Sequence, residues 1–363
     1  MPQSARTGVL PAEQLNELIA AGAISLGALA NPRQLQPASL DLTLGSRGWR
    51  VRASFLPSRK RRVAERLADG LAMQAIDLQN GAVFERGCVY VVELRERLSL
   101  PADIAGAGNP KSSTGRIDVF VRLVADRSAA FDEISPGYRG PLYAEISPRT
   151  FSIVAREGSS LNQLRLKRGA CRLDDEALRA LDAQTPLLNE DADIDGGVGL
   201  RVKLAGPAGE AVGWRARRHA ALIDIDKVGA LSPADYFEPI GAPREGFVIL
   251  DPDEFYILAS RETLVIPPDY AAEMTPINPG LGEFRVHYAG FFDPGFGWAA
   301  GTGAGSRAVL EVRSHDAPFA LEDGQLVARL AYERMAARPE RLYGAALSSN
   351  YQGQGLRLSK HFY

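Results

Sequence analysis

Tyr90-Val-Val-Glu-Leu-Arg-Glu-Arg-Leu-Ser-Leu-Pro-Ala-Asp-Ile-Ala-Gly-Ala-Gly-Asn-Pro110 recurs in outline as Tyr256-Ile-Leu-Ala-Ser-Arg-Glu-Thr-Leu-Val-Ile-Pro-Pro-Asp-Tyr-Ala-Ala-Glu-Met-Thr-Pro276. A displacement of 166 positions (Tyr90 to Tyr256) lays Arg95 on Arg261, Glu96 on Glu262, Leu98 on Leu264, Pro101 on Pro267 and Asp103 on Asp269. Ala105 then falls on Ala271 and Pro110 on Pro276, and further along Glu145 falls on Glu311, Gly158 on Gly324 and Leu164 on Leu330. So many identities in one register mark a duplication. Within each copy the apolar residues come in short runs, such as Val89-Tyr-Val-Val and Val119-Phe-Val, broken by Gly, Pro and Asp. That is the pattern of strands and turns. The sequence therefore predicts two copies of one β-rich domain, 1–193 and 194–363, divided at the polar stretch Glu190-Asp-Ala-Asp-Ile-Asp-Gly-Gly197.

Few helices are expected. Pro11-Ala-Glu-Gln-Leu-Asn-Glu-Leu-Ile-Ala-Ala-Gly22 starts on Pro, carries a Leu15, Leu18, Ile19 stripe and stops at Gly. A second helix is predicted to start near Arg172 and run into the polar linker. In Gln36-Pro-Ala-Ser-Leu-Asp-Leu-Thr-Leu-Gly45, Leu40, Leu42 and Leu44 alternate with Asp41 and Thr43, which predicts a half-buried strand. Gly297-Trp-Ala-Ala-Gly-Thr-Gly-Ala-Gly305 lacks a βαβ setting and reads as a hairpin tip, not a dinucleotide fingerprint.

At 363 residues, with 45% hydrophobic and 24% charged residues, the chain has room for two globular cores. No apolar run approaches the ~18 residues that span a bilayer, and the N-terminus lacks a signal-peptide core. A formal charge of −2 argues against bulk nucleic-acid binding. The two cysteines, Cys88 and Cys171, suit neither a disulfide framework nor a zinc cluster. A cytoplasmic protein bound to neither membrane nor nucleic acid is the expectation.

The copies differ where chemistry would reside. Gly108-Asn-Pro-Lys-Ser-Ser-Thr-Gly-Arg116 gathers two hydroxyls, Ser112 and Ser113, with two cations, Lys111 and Arg116, on a turn of small residues. Such a turn suits a polyphosphate. Opposite Lys111-Ser112-Ser113 the second copy has Ile277-Asn278-Pro279, which carries neither hydroxyl nor cation. The second copy instead carries His287-Tyr-Ala-Gly-Phe-Phe-Asp-Pro-Gly295 where the first has Ala129-Ala-Phe-Asp-Glu-Ile-Ser-Pro-Gly137. Each copy sets one glutamate between apolar neighbours, Glu145 between Ala144 and Ile146, Glu311 between Leu310 and Val312. A carboxylate so placed loses water, and its pKa rises towards general acid/base duty.

In this order the segments resemble the dCTP deaminases of the trimeric dUTPase-like superfamily. Gln36–Gly45 resembles their QPSSID-type strand, Lys111–Arg116 their RSSLAR phosphate motif with Lys leading, and Ala289–Gly295 their AGFIDPG base-pocket hairpin. The strands holding Glu145 and Glu311 resemble the strand of the catalytic glutamate. Glu157–Leu164, with Gln163, resembles the PGMxIGQL strand, and the segment Ser349-Asn-Tyr-Gln-Gly-Gln-Gly355 resembles the tail that closes over the nucleotide. The first copy departs from the hairpin pattern, with Phe131 and Ser135 at the places of Ala289 and Asp293.

The resemblance implies a mainly β fold of two tandem dUTPase-like distorted, jelly-roll-like barrels with a few short helices. It implies zinc-independent hydrolysis of dCTP to dUTP and ammonia, with Glu145 or Glu311 carrying protons. Ser112, Ser113, Arg116 and Lys111 would hold the triphosphate with its Mg2+, Ala289 and Asp293 the base, and Gln163, Tyr351 and Gln354 would complete the site. It also implies self-association into a (pseudo)trimeric assembly, composite sites between copies, and possible feedback by dTTP. The alternatives are a bifunctional deaminase–pyrophosphatase, with Asp132 or Asp293 activating water, and a non-catalytic nucleotide-binding regulator.

Overall fold

The computed structural model describes residues 6–27, 31–207, 209–276, 284–287, 290–298, 305–314, 316–344 and 351–363. It is mainly β, and its contacts form two compact units. The first holds the chain up to Cys171 together with Ala221–Val228 and Met335–Ala337. The second holds Arg172–Ala220, Gly229–Arg334 and Arg338–Tyr363.

Two antiparallel sheets make most of the first unit. One runs Glu133–Ile134, Ile104–Pro110, Asn162–Arg168, Ser39–Leu42, Leu35–Gln36, with Gly8–Val9 also paired to Asn162–Arg168. The other runs Val119–Ala125, Arg139–Pro148, Val89–Ser99, Leu44–Val51, Ala72–Asp77, with Ile24–Ser25 on Val89–Ser99. The second unit repeats both orders. Its sheets run Phe291–Phe292, Tyr270–Pro276, Leu326–Arg334, Val198–Arg201, and Phe284–His287, Ser306–Ser314, Tyr256–Leu264, Ala211–Ala216, Phe237–Gly241. Registers repeat as well. Ile146 pairs with Tyr90 as Val312 pairs with Tyr256. The Tyr90 hydroxyl accepts from Glu85 N at 3.1 Å and that of Tyr256 from Asp251 N at 2.9 Å. A tyrosine whose ring is buried keeps its hydroxyl paired, and the duplication preserved both partners.

The helix after Pro11 spans Ala12–Ala20 and buries Leu15, and Gly22 turns the chain out at φ +73°. Strand Ser39–Leu42 is buried on both faces, not half-buried as its alternation suggested. Lys111 meets the Asp41 carboxylate, and the Thr43 hydroxyl donates to Glu96 at 2.6 Å, so the polar positions are paired and not solvated. The sequence reading divides the chain at 193/194, whereas the contacts divide it at 171/172. Helix Asp175–Gln184, capped by the Asp174 side chain on Ala177 N (2.9 Å), packs Leu178 and Leu181 into the core of the second unit. Each leucine stabilises that unit by about 1.5–3 kcal/mol, and this apolar face outweighs the polar linker as a marker of the boundary. Of the glycine-rich insertion, residues 299–304 lie outside the described residues.

Candidate active site

Glu145 sits mid-sheet on strand Arg139–Pro148, opposite Arg122 on one side and Val91 on the other. Alternation puts Leu142, Ala144 and Ile146 into the core and Tyr143 and Glu145 on the other face. A second apolar cluster covers that face. Phe55, Val63 and Leu67, from the connection between strands Leu44–Val51 and Ala72–Asp77, pack with Val51, Val91, Val124, Tyr143 and Phe131. Val63 opens a short helix whose first amide donates to Asp126 Oδ1 at 2.8 Å.

Beneath this cover Glu145 is 3% exposed. Its Oε1 accepts from Ser54 Oγ at 2.9 Å and its Oε2 from Phe55 N at 3.4 Å. Burial pushes its carboxyl above the usual range, and these two bonds and the Arg122 charge offset that only in part. The Arg122 guanidinium lies 4.4 Å from the Phe120 ring and 4.6 Å from that of Phe131, so aromatic faces hold it beside the acid. Glu311 occupies the same register, opposite Ile257 and His287, and is 5% exposed. Both glutamates are thus withdrawn from water.

The Ser-Ser turn forms a single helical turn, Ser112–Gly115, after strand Ile104–Pro110. Hydrogen bonds from Lys111 N and from the Thr114 hydroxyl to Leu161 O, at 2.9 and 2.8 Å, tie it to the chain entering strand Asn162–Arg168. Before the turn, Gly108 lets strand Val119–Ala125 pass close by, because a Cβ there would stand 2.6 Å from that of Leu123. Ser113 and Arg116 are buried and Ser112 is half-buried. Lys111 Nζ is taken by Asp41 and by Ser160 Oγ (3.4 Å), so its charge is met inside the barrel. Gln163 Oε1 accepts from Ser39 Oγ at 3.3 Å. Lys111, Asp41, Arg95, Arg156 and Ser160 line a cavity of about 500 Å³. The turn and Gln163 therefore share one end of the barrel, with Glu145 on a different sheet.

In the second unit the Phe-Phe-Asp-Pro-Gly hairpin begins with the pairing of Phe291 and Phe292 to Glu273 and Ala272. Asp293 is buried, and its carbonyl accepts from Phe296 N at 3.1 Å. Gly295 lies at φ +94°, where a Cβ would stand 2.8 Å from that of Leu342, so only glycine fits the turn. Tyr351 and Gln354 are buried: the Tyr351 hydroxyl accepts from Lys360 N (3.1 Å), and Gln354 Nε2 donates to Arg307 O (3.0 Å) at the start of the Glu311 strand. Gln352, which sequence reasoning passed over, accepts from Gly297 N and donates to Gly295 O, both at 3.3 Å. Ala289 lies outside the described residues. Asp132, weighed as a water-activating acid, instead accepts from Leu123 N at 2.7 Å and takes φ +59°, which makes it a hairpin pin.

Sequence reasoning also missed the roles of Ser54 and of the Glu96–Glu262 pair. Glu96 is fully buried and accepts from Thr43 N (2.9 Å), Thr43 Oγ1 (2.6 Å) and Gln34 Nε2 (2.8 Å), while burial pushes its carboxyl up. Glu262, equally buried, accepts from Arg201 N at 2.9 Å. Their appearance in the repeat was the available signal, since a glutamate kept in both copies of a strand is paired or functional. Among the described residues no three His, Cys, Asp or Glu side chains are grouped to hold a metal. No helix among them is long and apolar enough to cross a membrane.

Two family models match. The N-terminal domain of 2′-deoxycytidine 5′-triphosphate deaminase matches residues 6–170, and its C-terminal domain residues 174–362. A dCTP deaminase, dUMP-forming, of Beutenbergia cavernae is 32% identical over 152 residues, 40% of this chain and 75% of that protein. A dCTP deaminase of Natronomonas pharaonis is 33% identical over 110 residues, 29% of this chain and 52% of that protein. The crystal structure of 2′-deoxycytidine 5′-triphosphate deaminase from Agrobacterium tumefaciens superimposes with a TM-score of 0.87 at 49% identity, covering 92% of this chain and all of that one.

Proposed function

Because this chain belongs to the 2′-deoxycytidine 5′-triphosphate deaminase family, we propose that it hydrolyses dCTP to dUTP and ammonia. The observation that carries the reading is a glutamate withdrawn from water at the same register in both barrels. Such a carboxylate takes a proton from the water that adds to C4 of the ring. It passes that proton to N3, then takes the proton of the new C4 hydroxyl and passes it to the departing amine. A raised pKa suits both halves of that cycle, because the acid must gain and lose its proton near neutral pH.

Triphosphate binding falls to Ser112, Ser113 and Arg116. A planar guanidinium and two hydroxyls match phosphate oxygens, with charge-assisted bonds supplying most of the affinity. Mg2+ comes with the nucleotide, since it keeps most of its waters and needs few protein ligands. Asp293 and the hairpin shape the base pocket, while Tyr351, Gln354 and Gln163 close it. The phosphate turn exists only in the first copy and the Phe-Phe-Asp-Pro-Gly hairpin only in the second, and self-association of the chain is part of the proposal.

Incubation with dCTP and Mg2+, followed by chromatography of the nucleotides and an ammonia assay, tests the reading. Equal amounts of dUTP and ammonia are expected, and dCTP left intact by folded protein overturns it. The similarity to the dUMP-forming dCTP deaminase of Beutenbergia cavernae favours a second reading, in which dUMP and pyrophosphate appear in place of dUTP. The same chromatogram separates the two.

A further inference from the structure

We propose that the first barrel carries an anion site apart from the Ser-Ser turn. It is an arginine-ringed cavity that takes a small ligand bearing two or more phosphates, and the bound anion fastens the segment lying over Glu145. The cavity measures about 650 Å³, the size of a small-molecule site, and Arg62, Arg97, Arg127 and Arg139 stand around it. None of these four guanidiniums forms an ion pair with a described residue. Strand pairing sets Arg97 opposite Pro141 and Arg139 opposite Ser99, so Arg97 and Arg139 are diagonal neighbours on one face of the sheet. Like charges so placed repel, and a multiply charged anion between them turns that repulsion into charge-assisted hydrogen bonding.

Two of the three carboxylates at the cavity are already engaged. Glu93 meets Arg47 at 3.2 Å and Asp126 Oδ1 accepts from Val63 N at 2.8 Å, while Glu133 is exposed. The floor supplies a donor. Tyr143 lines the cavity, is 5% exposed, and its hydroxyl has no hydrogen-bond partner among the described residues. Burial pushes this phenol above its usual range, so it stays protonated and can give a hydrogen bond to a phosphate oxygen. The duplicate lacks these groups. At the displacement of 166, Arg97 falls on Thr263, Arg139 on Gly305 and Tyr143 on Val309. The strands nonetheless keep their pairing, with Tyr143 opposite Glu93 as Val309 is opposite Ala259. The arginines and the tyrosine are therefore not what builds the sheet. Two hydrogen bonds join the cavity to the cover over Glu145, Val63 N to Asp126 and Arg127 N to Arg61 O at 2.9 Å. Arg62 belongs to that cover, so an anion bridging it to Arg97 and Arg139 holds residues 52–71 in place.

Hydrogen exchange of the full chain, followed by mass spectrometry, reports on the cover (52–71) and on the Ser-Ser turn (108–118) through separate peptides. It involves no turnover, so its outcome is independent of the deaminase reading. Inorganic tripolyphosphate without Mg2+ should slow exchange across residues 59–67 of the wild type by about threefold or more at saturation. In Arg97→Thr/Arg139→Ala the concentration giving half of that protection should rise about tenfold or more, as the loss of charge-assisted bonds predicts, while 108–118 responds as in wild type. Both arginines are exposed, so this variant is expected to melt with the wild type. Tyr143→Phe, which keeps the ring, gives a second reading and should raise the same concentration about three- to tenfold, the loss of one hydrogen bond.

A parallel titration with adenosine triphosphate separates two sources of the same chemistry. Half-protection at about a tenfold lower concentration than tripolyphosphate makes the ligand a nucleotide, and equal concentrations make it the oligophosphate group alone. Unaltered exchange at 59–67 in the wild type overturns the site, and so does protection that the double variant keeps in full. Protection given by a hexaglutamate peptide and not by tripolyphosphate also overturns it, since the arginines would then serve an acidic protein segment.

Discussion

Residues 52–71 and 217–236 are equal in length and join equivalent strands, yet one closes over the buried Glu145 and the middle of the other, Ala221–Val228, belongs to the first compact unit. The difference lies in their apolar residues. The first places Phe55, Val63 and Leu67 where the sheet offers Val51, Val91, Val124 and Tyr143. The second spends Ile223 and Ile225 on the first unit, where their amides donate to Ser152 O (3.0 Å) and Val154 O (3.2 Å). Burying a large apolar side chain is worth about 1.5–3 kcal/mol, so three such residues suffice to decide where a loop lies. After duplication, a loop can therefore take a different course in one copy while the strands around it keep their pairing.

The phosphate turn offers the largest contrast, since Arg116 falls on Gly282 at the displacement of 166 and Lys111-Ser112-Ser113 on Ile277-Asn278-Pro279. Arg116→Lys keeps the charge and loses the planar fork. Its KM for dCTP should rise about 10–100-fold with kcat little changed, the loss expected of one charge-assisted bond worth about 1.5–3 kcal/mol. Steady-state kinetics beside a thermal melt separate affinity from folding. An unchanged KM removes Arg116 from the phosphate site.

Glu96 and Glu262 give the next contrast, because the two carboxylates share a register but not their partners. Removing Glu96 leaves the Thr43 amide and hydroxyl and the Gln34 amide without their acceptor in the core. Glu96→Ala should cost the first barrel about 3 kcal/mol, seen as a separate, earlier calorimetric transition. Glu262→Ala should cost less, because Arg201, its partner, is partly exposed and reaches water. The pH dependence has a definite sign. Burial raises the folded pKa of Glu96, so the folded state binds that proton more tightly than the unfolded chain does. Its contribution is complete below the usual carboxylate range and is lost as pH rises through the raised value. Glu96→Gln removes that slope, and a wild-type minus variant stability curve that stays flat with pH would contradict it.

The duplication, the β class and the helix after Pro11 were legible because repeat, alternation and breaker residues act locally along the chain. So was the burial of Glu145, from the apolar residues on either side of it. Its cover was not. Ser54 and Glu145 meet across 91 positions of sequence, and Ser54-Phe55 has no pattern that sets it apart from any other loop. The boundary was misplaced for a related reason. The composition of Glu190–Gly197 marks where chain is polar, whereas domain membership follows the face on which Leu178 and Leu181 are buried. Lys111 is a third case, since its partner Asp41 belongs to a strand whose polar positions read as solvent-facing.

The smallest expected effect lies at the far end of the 217–236 connection. Arg156 grips Asp224 through two bonds, Nη1 to Oδ1 at 2.7 Å and Nη2 to Oδ2 at 2.9 Å, and Asp226 through a third at 3.1 Å. The guanidinium holds the Asp224 carboxyl below its usual range. Arg156 is partly open to solvent, so the pair is screened and contributes about 1 kcal/mol at most. Unlike Glu96, Asp224 has a lowered folded pKa. Its contribution is present above the unfolded carboxylate pKa and disappears as pH falls through the lower value. Asp224→Asn should therefore speed hydrogen exchange at the Ile223 and Ile225 amides by no more than about fivefold near neutral pH, which corresponds to about 1 kcal/mol. Acidifying the wild type should narrow that gap. If the asparagine variant keeps full protection at both amides, hydrogen bonding to Ser152 and Val154 and burial of Ile223 hold the segment without the ion pair. The divergence of the two connections would then rest on their apolar residues alone.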